Sequence, residues 1–315
     1  MADKKIVFTY DYGAENMQKI RDLGIDIVFS DEDSFQASPE MMDADAIVCF
    51  NIFSKIDYHS MKNLKWIQLV SKGINHVPQD LRDGKIVVTN NSETTSVPIG
   101  EWIVTFILEI FKDTREFIRK QDQGLWSQNQ LVLDLYGKTV GIIGTGRIAR
   151  EAAKRLAAFD CHIIGVNHSG AAKPNFEKVY SIDELDDFWP HCDAIVSTLP
   201  ATEETFHLIN AESISKMKDG VALVNISRGS IIDTEAMMEA NRNGKFLGIA
   251  LDVFEQEPLP SDHPLWKMKN VIMTPHNVMW SDNYYQRCFE AVYNNCRHFA
   301  AGEPLDDVAD FVKGY

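Results

Sequence analysis

The chain is poor in basic charge, in cysteine and in long apolar runs. Its 31 lysines and arginines face 46 aspartates and glutamates, for a formal net charge of -15. Nucleic-acid backbones are gripped by clustered lysine and arginine, so this balance sets DNA and RNA binding aside. The five cysteines (Cys49, Cys161, Cys192, Cys288, Cys296) are odd in number, scattered and without a CxxC pair. That pattern excludes a disulfide framework and a zinc site and suits a reducing compartment. No apolar run approaches the roughly 20 residues that a membrane-spanning helix needs. Met1-Ala2-Asp3-Lys4-Lys5 leads straight into Ile6-Val7-Phe8 with no apolar signal region or cleavage site, so no secretory signal is expected and a cytoplasmic location is. Internal repeats and low-complexity segments are also missing.

What remains is an ordinary globular composition, 45% hydrophobic and 24% charged over 315 residues, long enough for two medium domains. Short apolar runs at Ile6 to Thr9, Ile25 to Phe29, Ala46 to Phe50, Trp66 to Val70 and Ile86 to Thr89 alternate with polar or helical stretches, which describes a small parallel α/β unit. From Pro98 to about Gln121 the apolar residues Ile99, Trp102, Ile103, Phe106, Ile107, Ile110 and Phe111 recur at helical spacing, predicting one long helix. That helix is apolar over much of its circumference, and the following loop, Gly124 to Tyr136, adds Trp126 and Leu133. Burial within one chain and burial in a subunit interface both fit.

From Lys138 the rhythm is regular. Strands are expected at Thr139 to Ile143, His162 to Val166, Ala194 to Thr198, Val221 to Ile226, Gly248 to Val253 and Val271 to Thr274. Helices are expected at Arg147 to Phe159, near Ala211 to Met217 and from Thr234, with a loop after Val166. Nearly continuous apolar strands in repeated βα units imply a doubly wound parallel sheet. A last helix, about Asn283 to Ala301, stops at Gly302-Glu303-Pro304.

Gly144-Thr145-Gly146-Arg147-Ile148-Ala149 follows an apolar strand and opens a helix, the setting of a dinucleotide fingerprint with alanine in its third position. Gly144 permits the turn, Gly146 admits a pyrophosphate to the helix N-terminus, and Ala149 allows close packing. At the end of the next strand, where an acidic residue would accept from a ribose 2'-hydroxyl, stands Asn167, followed by His168 and Ser169. An amide does not repel a 2'-phosphate, and His168, Ser169 or Lys173 can help hold one. Both NAD and NADP are open.

Three further groups follow strand ends. Arg228 stands past Val221 to Ile226, where open α/β sheets bind ligands. It suits either a structural salt bridge or bidentate binding of a 2-keto acid carboxylate. His276 follows Val271 to Thr274 and Pro275 and can exchange a proton near neutrality. Glu257 is placed to hydrogen-bond that imidazole and fix its tautomer.

On Gly144-x-Gly146, Asn225-x-Ser227-Arg228-Gly229, Leu251-Asp252-Val253-Phe254-Glu255-Gln256-Glu257-Pro258 and Thr274-Pro275-His276, residues 40 to 310 resemble the D-isomer-specific 2-hydroxyacid dehydrogenase family. The resemblance implies two domains, a Rossmann-type doubly wound sheet inserted into a smaller flavodoxin-like α/β substrate domain. Residues 1 to 98 with 285 to 315 would form the substrate domain and 99 to 284 the dinucleotide-binding domain. It implies His276 as general acid/base, Glu257 as its partner and Arg228 as substrate anchor. Ser71-Lys72-Gly73-Ile74 would be the loop whose amides receive the carboxylate, with Trp280 near the pocket. NAD or NADP would contact Gly144, Thr145, Gly146, Arg147, Ile148, Asn167, His168 and Ser169, with Leu199, Pro200 and Thr205 on the adenosine side, then Ile226 and Ser227, and Asp252 near the nicotinamide carboxamide. The long helix from Pro98 and its loop resemble the family's dimer element, so a homodimer is expected.

Lys72 departs from the small residue common in that loop; it adds positive charge toward an anionic substrate or faces solvent. Glu257 argues against the formate dehydrogenase branch, and the absence of a C-terminal regulatory domain argues against the longer phosphoglycerate enzymes. The expected reaction is NAD(P)-dependent reduction of a small 2-keto acid of the glyoxylate, hydroxypyruvate or pyruvate type to the D-2-hydroxy acid. The rival reading is a dinucleotide-sensing protein on the same scaffold with little turnover.

Overall fold

The computed structural model describes residues 4–74, 76–91, 94–128 and 130–311; the lead-in Met1-Ala2-Asp3 and the end of the tail at Tyr315 lie outside them. In chain order the elements are β1 (Lys4–Phe8), α1 (Ala14–Arg21), β2 (Ile25–Phe29), β3 (Ala46–Cys49), β4 (Trp66–Leu69), β5 (Val87–Thr89), α2 (Ser96–Phe111), α3 (Thr114–Asp122), β6 (Thr139–Ile143) and α4 (Arg147–Leu156). They continue with β7 (His162–Asn167), β8 (Lys178–Ser181), α5 (Leu185–Phe188), β9 (Ala194–Ser197), α6 (Ala211–Lys216), β10 (Val221–Asn225), α7 (Thr234–Arg242), β11 (Phe246–Leu251), β12 (Val271–Met273) and α8 (Tyr284–Ala301). The chain divides into two compact units, Thr95–Ser281 and the flanking Met1–Thr94 with Asp282–Tyr315.

The flanking unit is a five-stranded parallel sheet in the order β2-β1-β3-β4-β5, a flavodoxin-like winding. Successive strand side chains point to opposite faces, so both faces of a fully covered sheet must be apolar. Val7, Ile47, Ile67 and Leu69 pack on one side with Ile52 and Tyr58, while Ile6, Phe8, Val48 and Trp66 pack on the other with Phe289, Val292 and Cys296 of α8. A buried polar chain joins the two sequence-distant parts of this unit. The Thr89 hydroxyl accepts from Trp66 Nε1 at 2.8 Å and donates to Gln68 Oε1 at 2.8 Å, and the same Gln68 oxygen accepts from Asn295 Nδ2 of α8 at 2.8 Å.

The inserted unit carries seven parallel strands in the order β12-β11-β10-β9-β6-β7-β8. Winding starts at β6 in mid-sheet, runs outward to β8, then reverses at β9 and runs out to β12. The switch point therefore lies between β6 and β9. One face is covered by α2 and α4 through Ile103, Phe106, Ile107, Ala149, Ala152 and Ala153; the other carries Phe188, Ile214, Met237 and Met238.

Two details differ from the sequence expectation. The apolar run from Pro98 is two helices: α2 ends at Phe111, Asp113 takes a left-handed φ of 47°, and α3 starts at Thr114. Phe117 and Ile118 prolong the apolar pattern past the break but are 42% and 55% exposed, so the pattern there does not report burial. The stretch after β7 contains an extra strand, β8, whose sequence Lys-Val-Tyr-Ser buries only the tyrosine and lacks an apolar run.

The Thr89 hydroxyl is the joint of its network, so Thr89→Val leaves Trp66 Nε1 without its acceptor and Gln68 Oε1 without one of its donors. Chemical denaturation is expected to show a loss of about 2 kcal/mol; an unchanged unfolding free energy would contradict the role given to the network.

Candidate active site

All strands of the inserted unit are parallel, so their C-terminal ends share one edge, with neighbours about 4.8 Å apart. In sheet order the exits lead to His276 after β12, Asp252 and Glu257 after β11, Ser227 and Arg228 after β10, Leu199 after β9, Gly144-Thr145-Gly146 after β6 and Asn167 at the end of β7.

At the switch point Gly144 has φ +95°, and a Cβ on it would meet Thr198 Oγ1 at 2.5 Å. Only glycine fits that turn. Gly146 precedes α4, whose N-terminus no side chain caps, and nothing lies within 4 Å of where its Cβ would stand. Open space over an uncapped helix N-terminus suits the pyrophosphate of a dinucleotide, so the residues present fit NAD(P). Asn167 is itself engaged: Nδ2 donates to Thr145 Oγ1 at 3.1 Å and to the Ala171 carbonyl at 2.8 Å, and Oδ1 accepts from the Ser169 amide at 3.1 Å. It shapes the loop that exposes His168 and Ser169.

Ile226 and Ser227, both expected cofactor contacts, are turned inward, and the Thr205 hydroxyl is engaged within its own turn. Ile226 lies in the core, and the Ser227 hydroxyl is bonded to Ser197 at 2.9 Å and to Asn225 Oδ1 at 2.8 Å. The Thr205 hydroxyl donates to the Pro200 carbonyl at 2.7 Å and accepts from the Thr202 amide at 2.8 Å, closing the turn after Leu199.

His276 and Glu257 meet. His276 Nδ1 lies 2.8 Å from Glu257 Oε2, and Glu257 Oε1 accepts from the Phe254 amide at 2.9 Å. An ionised Glu257 can only accept, which assigns the Nδ1 proton. Nε2 has no hydrogen-bond partner among the described residues. Partial burial opposes ionisation of Glu257 but is outweighed by the bonds from His276 and Phe254 and by the charges of His276 and Arg228, so its carboxyl lies below its ordinary value. Arg228 donates to the Ser227 carbonyl at 2.7 Å and, among the described residues, sits in no ion pair. An exposed guanidinium without a carboxylate partner can take an anion.

Asp252 is fully buried. Its Oδ1 accepts from the Thr274 hydroxyl at 2.6 Å and the Asn277 amide at 2.8 Å, and its carbonyl accepts from the His276 amide at 2.8 Å. Desolvation raises its pKa, opposed by those bonds. Trp280 is half-exposed on the same segment, its amide donating to the Asn277 carbonyl at 3.1 Å.

In the flanking unit the loop after β4 is held by Ser71 Oγ donating to the Gly73 carbonyl at 2.9 Å and by Asn90 Nδ2 donating to the Lys72 carbonyl at 3.1 Å. Ile74 plants its side chain in the core.

Gly229 is a spacer that its neighbours in sequence do not announce. A Cβ there would stand 1.9 Å from the Phe254 carbonyl carbon and 2.3 Å from the Glu255 nitrogen. The turn carrying Arg228 and the segment carrying Glu257 are thus in direct backbone contact. A second His-Glu pair, His207 with Glu255 at 2.7 Å, was also missed, because its partners are far apart in sequence.

The doubly wound sheet, the glycine turn at its switch point and the His276-Glu257 pair on the same edge fit an NAD(P)-dependent oxidoreductase. Residues 104–277 match the family model described as D-isomer specific 2-hydroxyacid dehydrogenase, NAD binding domain. The chain is similar to a glyoxylate reductase of Thermofilum pendens, 36% identical over 83% of this chain and 80% of that one. It is similar to a hydroxypyruvate reductase of Thermotoga maritima, 37% identical over 68% and 71% of the two chains. Among solved structures, a D-isomer specific 2-hydroxyacid dehydrogenase of Xanthobacter autotrophicus in complex with NADPH and MES superposes with a TM-score of 0.79 at 25% identity, over 100% of both chains. The chain belongs to the D-isomer-specific 2-hydroxyacid dehydrogenase family.

Gly229→Ala must push the Phe254 and Glu255 backbone away. Misplacement by about an ångström costs on the order of a hundredfold in rate, and steady-state turnover is expected to fall by about that factor. Wild-type turnover would show that this contact does not set the site.

Proposed function

We propose that the protein reduces a small 2-keto acid of the glyoxylate, hydroxypyruvate or pyruvate type to the D-2-hydroxy acid. The observation that carries the reading is the His276-Glu257 pair, with an Arg228 that among the described residues sits in no ion pair and whose charge acts on Glu257, on the sheet edge that also bears the nucleotide turn. Reduced nicotinamide, when bound, supplies the hydride. Arg228 binds the substrate carboxylate and polarises the neighbouring carbonyl, and His276 delivers a proton from Nε2 to the forming alkoxide. Glu257 holds Nδ1 and favours the imidazolium. Asp252 keeps the Thr274 to Val278 segment in place. The names of the Thermofilum and Thermotoga relatives support small keto acids as the substrate class. Asn167 puts no negative charge at the end of β7, so NADPH is admitted beside NADH.

No helix among the described residues is long and apolar enough to cross a membrane, and a cytoplasmic enzyme is our reading. Trp126 and Leu131 are 90% and 97% exposed, beside Leu125 and Tyr136. So much apolar surface on one loop supports a homodimer that covers it.

Initial rates with NADH and NADPH against a panel of small 2-keto acids test the activity. Turnover is expected with at least one acid, and His276→Ala is expected to lower kcat/KM by about a hundredfold. A loss far below tenfold would overturn the acid/base assignment, and dinucleotide binding without any turnover would favour the sensor. Light scattering is expected to give twice the 35.7 kDa of one chain; a single-chain mass would overturn the dimer.

A further inference from the structure

Glu255 and Glu257 are alternate residues of one short segment, and each carboxylate meets a histidine. Glu255 Oε1 lies 2.7 Å from His207 Nε2, while Oε2 accepts from the Thr234 amide, at the start of α7, at 3.1 Å. His207 is itself fixed. Its φ is +50°, its amide donates to the Ser230 carbonyl at 2.8 Å, its carbonyl accepts from Asn210 Nδ2 at 2.9 Å, and Phe206 stacks on its ring at 4.0 Å. Glu257 has less support. Besides His276, the hydrogen bond it makes is to the Phe254 amide of its own segment. Where Glu257 stands therefore depends on what holds residues 254–257. Gly229 sets how near that backbone comes to β10, and Glu255 ties it to α7 and to the 207–210 turn.

We infer that Glu255 and His207 are positioning residues: through the Phe254 to Glu257 backbone they hold the Glu257 carboxylate against His276 Nδ1. The inference rests on the acid/base reading above. His207 and Glu255 touch none of the proposed reacting atoms, so their effect must pass through Glu257, and removing Glu257 must abolish it.

A double-mutant cycle reads this directly. Glu255→Ala, Glu255→Gln, Glu257→Gln and the pair Glu255→Ala with Glu257→Gln would be assayed at saturating keto acid. NADH or NADPH binding would be followed by nicotinamide fluorescence. Glu255→Ala is expected to lower kcat about tenfold, part of what a positioned proton donor contributes, with KM and dinucleotide affinity within about twofold. Glu255→Gln, which keeps an acceptor for the Thr234 amide, recovers most of that loss. On the Glu257→Gln background Glu255→Ala adds no further loss. Equal loss on both backgrounds, or wild-type kcat in Glu255→Ala, overturns the inference and leaves the acid/base reading standing. Wild-type kcat in Glu257→Gln overturns the acid/base reading and the inference with it. If Glu255→Ala does not fold by circular dichroism, His207→Ala on the same two backgrounds completes the cycle under the same criteria.

Discussion

One buried carboxylate organises the reactive edge. Asp252 sits just past β11 with no exposed surface, its amide bonded to the Asn225 carbonyl of β10 and its own carbonyl to the amide of His276 after β12. Its oxygens collect Thr274 and Asn277, with the Val278 amide at 3.5 Å. A charge so placed costs several kcal/mol in lost hydration, tolerable only when hydrogen bonds surround it. Desolvation and those bonds pull its pKa in opposite directions, and desolvation is the larger. Three adjacent strand exits are thereby fixed relative to one residue, and His276 inherits its place from that arrangement.

An acidic protein that binds anionic ligands needs local positive potential. At physiological ionic strength exposed charges are screened within about 8 Å, so the distant part of the -15 net charge has little force at the site. What acts there is near: the uncapped start of α4 and Arg228, which no carboxylate neutralises within ion-pair distance among the described residues. The same cation helps keep Glu257 ionised. Electrostatics at this edge are set by a few groups within hydrogen-bonding reach, and bulk composition does not reveal them.

The strands were legible because buried parallel strands must be apolar on both faces, and Val221 to Val224 or Ala194 to Val196 admit no other reading. The doubly wound class followed from the repeated βα units and the glycine turn after β6, whereas the seven-strand order, with β8 at its edge, did not. The break at Asp113 was not legible, since Phe117 and Ile118 continue an apolar rhythm that the single chain leaves in solvent. Asn167 could be placed at a strand end from sequence. That its amide folds back on Thr145 and Ala171 depends on a rotamer and on a loop closing four residues later. Gly229 reads in sequence as one more small residue after an arginine. Its need to be glycine lies in Phe254 and Glu255, which only the folded sheet brings against it.

His207 and His276 both adopt left-handed backbone, at φ +50° and +52°, and both present their rings to a glutamate of the same segment. A non-glycine residue in that region costs on the order of 1–3 kcal/mol, while each neutral hydrogen bond returns about 1 kcal/mol. The His276 amide donates a hydrogen bond to the Asp252 carbonyl and its ring bonds to Glu257; His207 is held by Ser230, Asn210 and Glu255. The bonds to the two ionised glutamates are worth more, about 1.5–3 kcal/mol each, so the ring contacts carry much of what holds each backbone in place. A site built this way is sensitive to residues that never meet a ligand, because removing one bond releases a strained backbone as well as a side chain. The two glutamates share one short backbone segment that lies against Gly229, so the two pairs are joined through the same few residues.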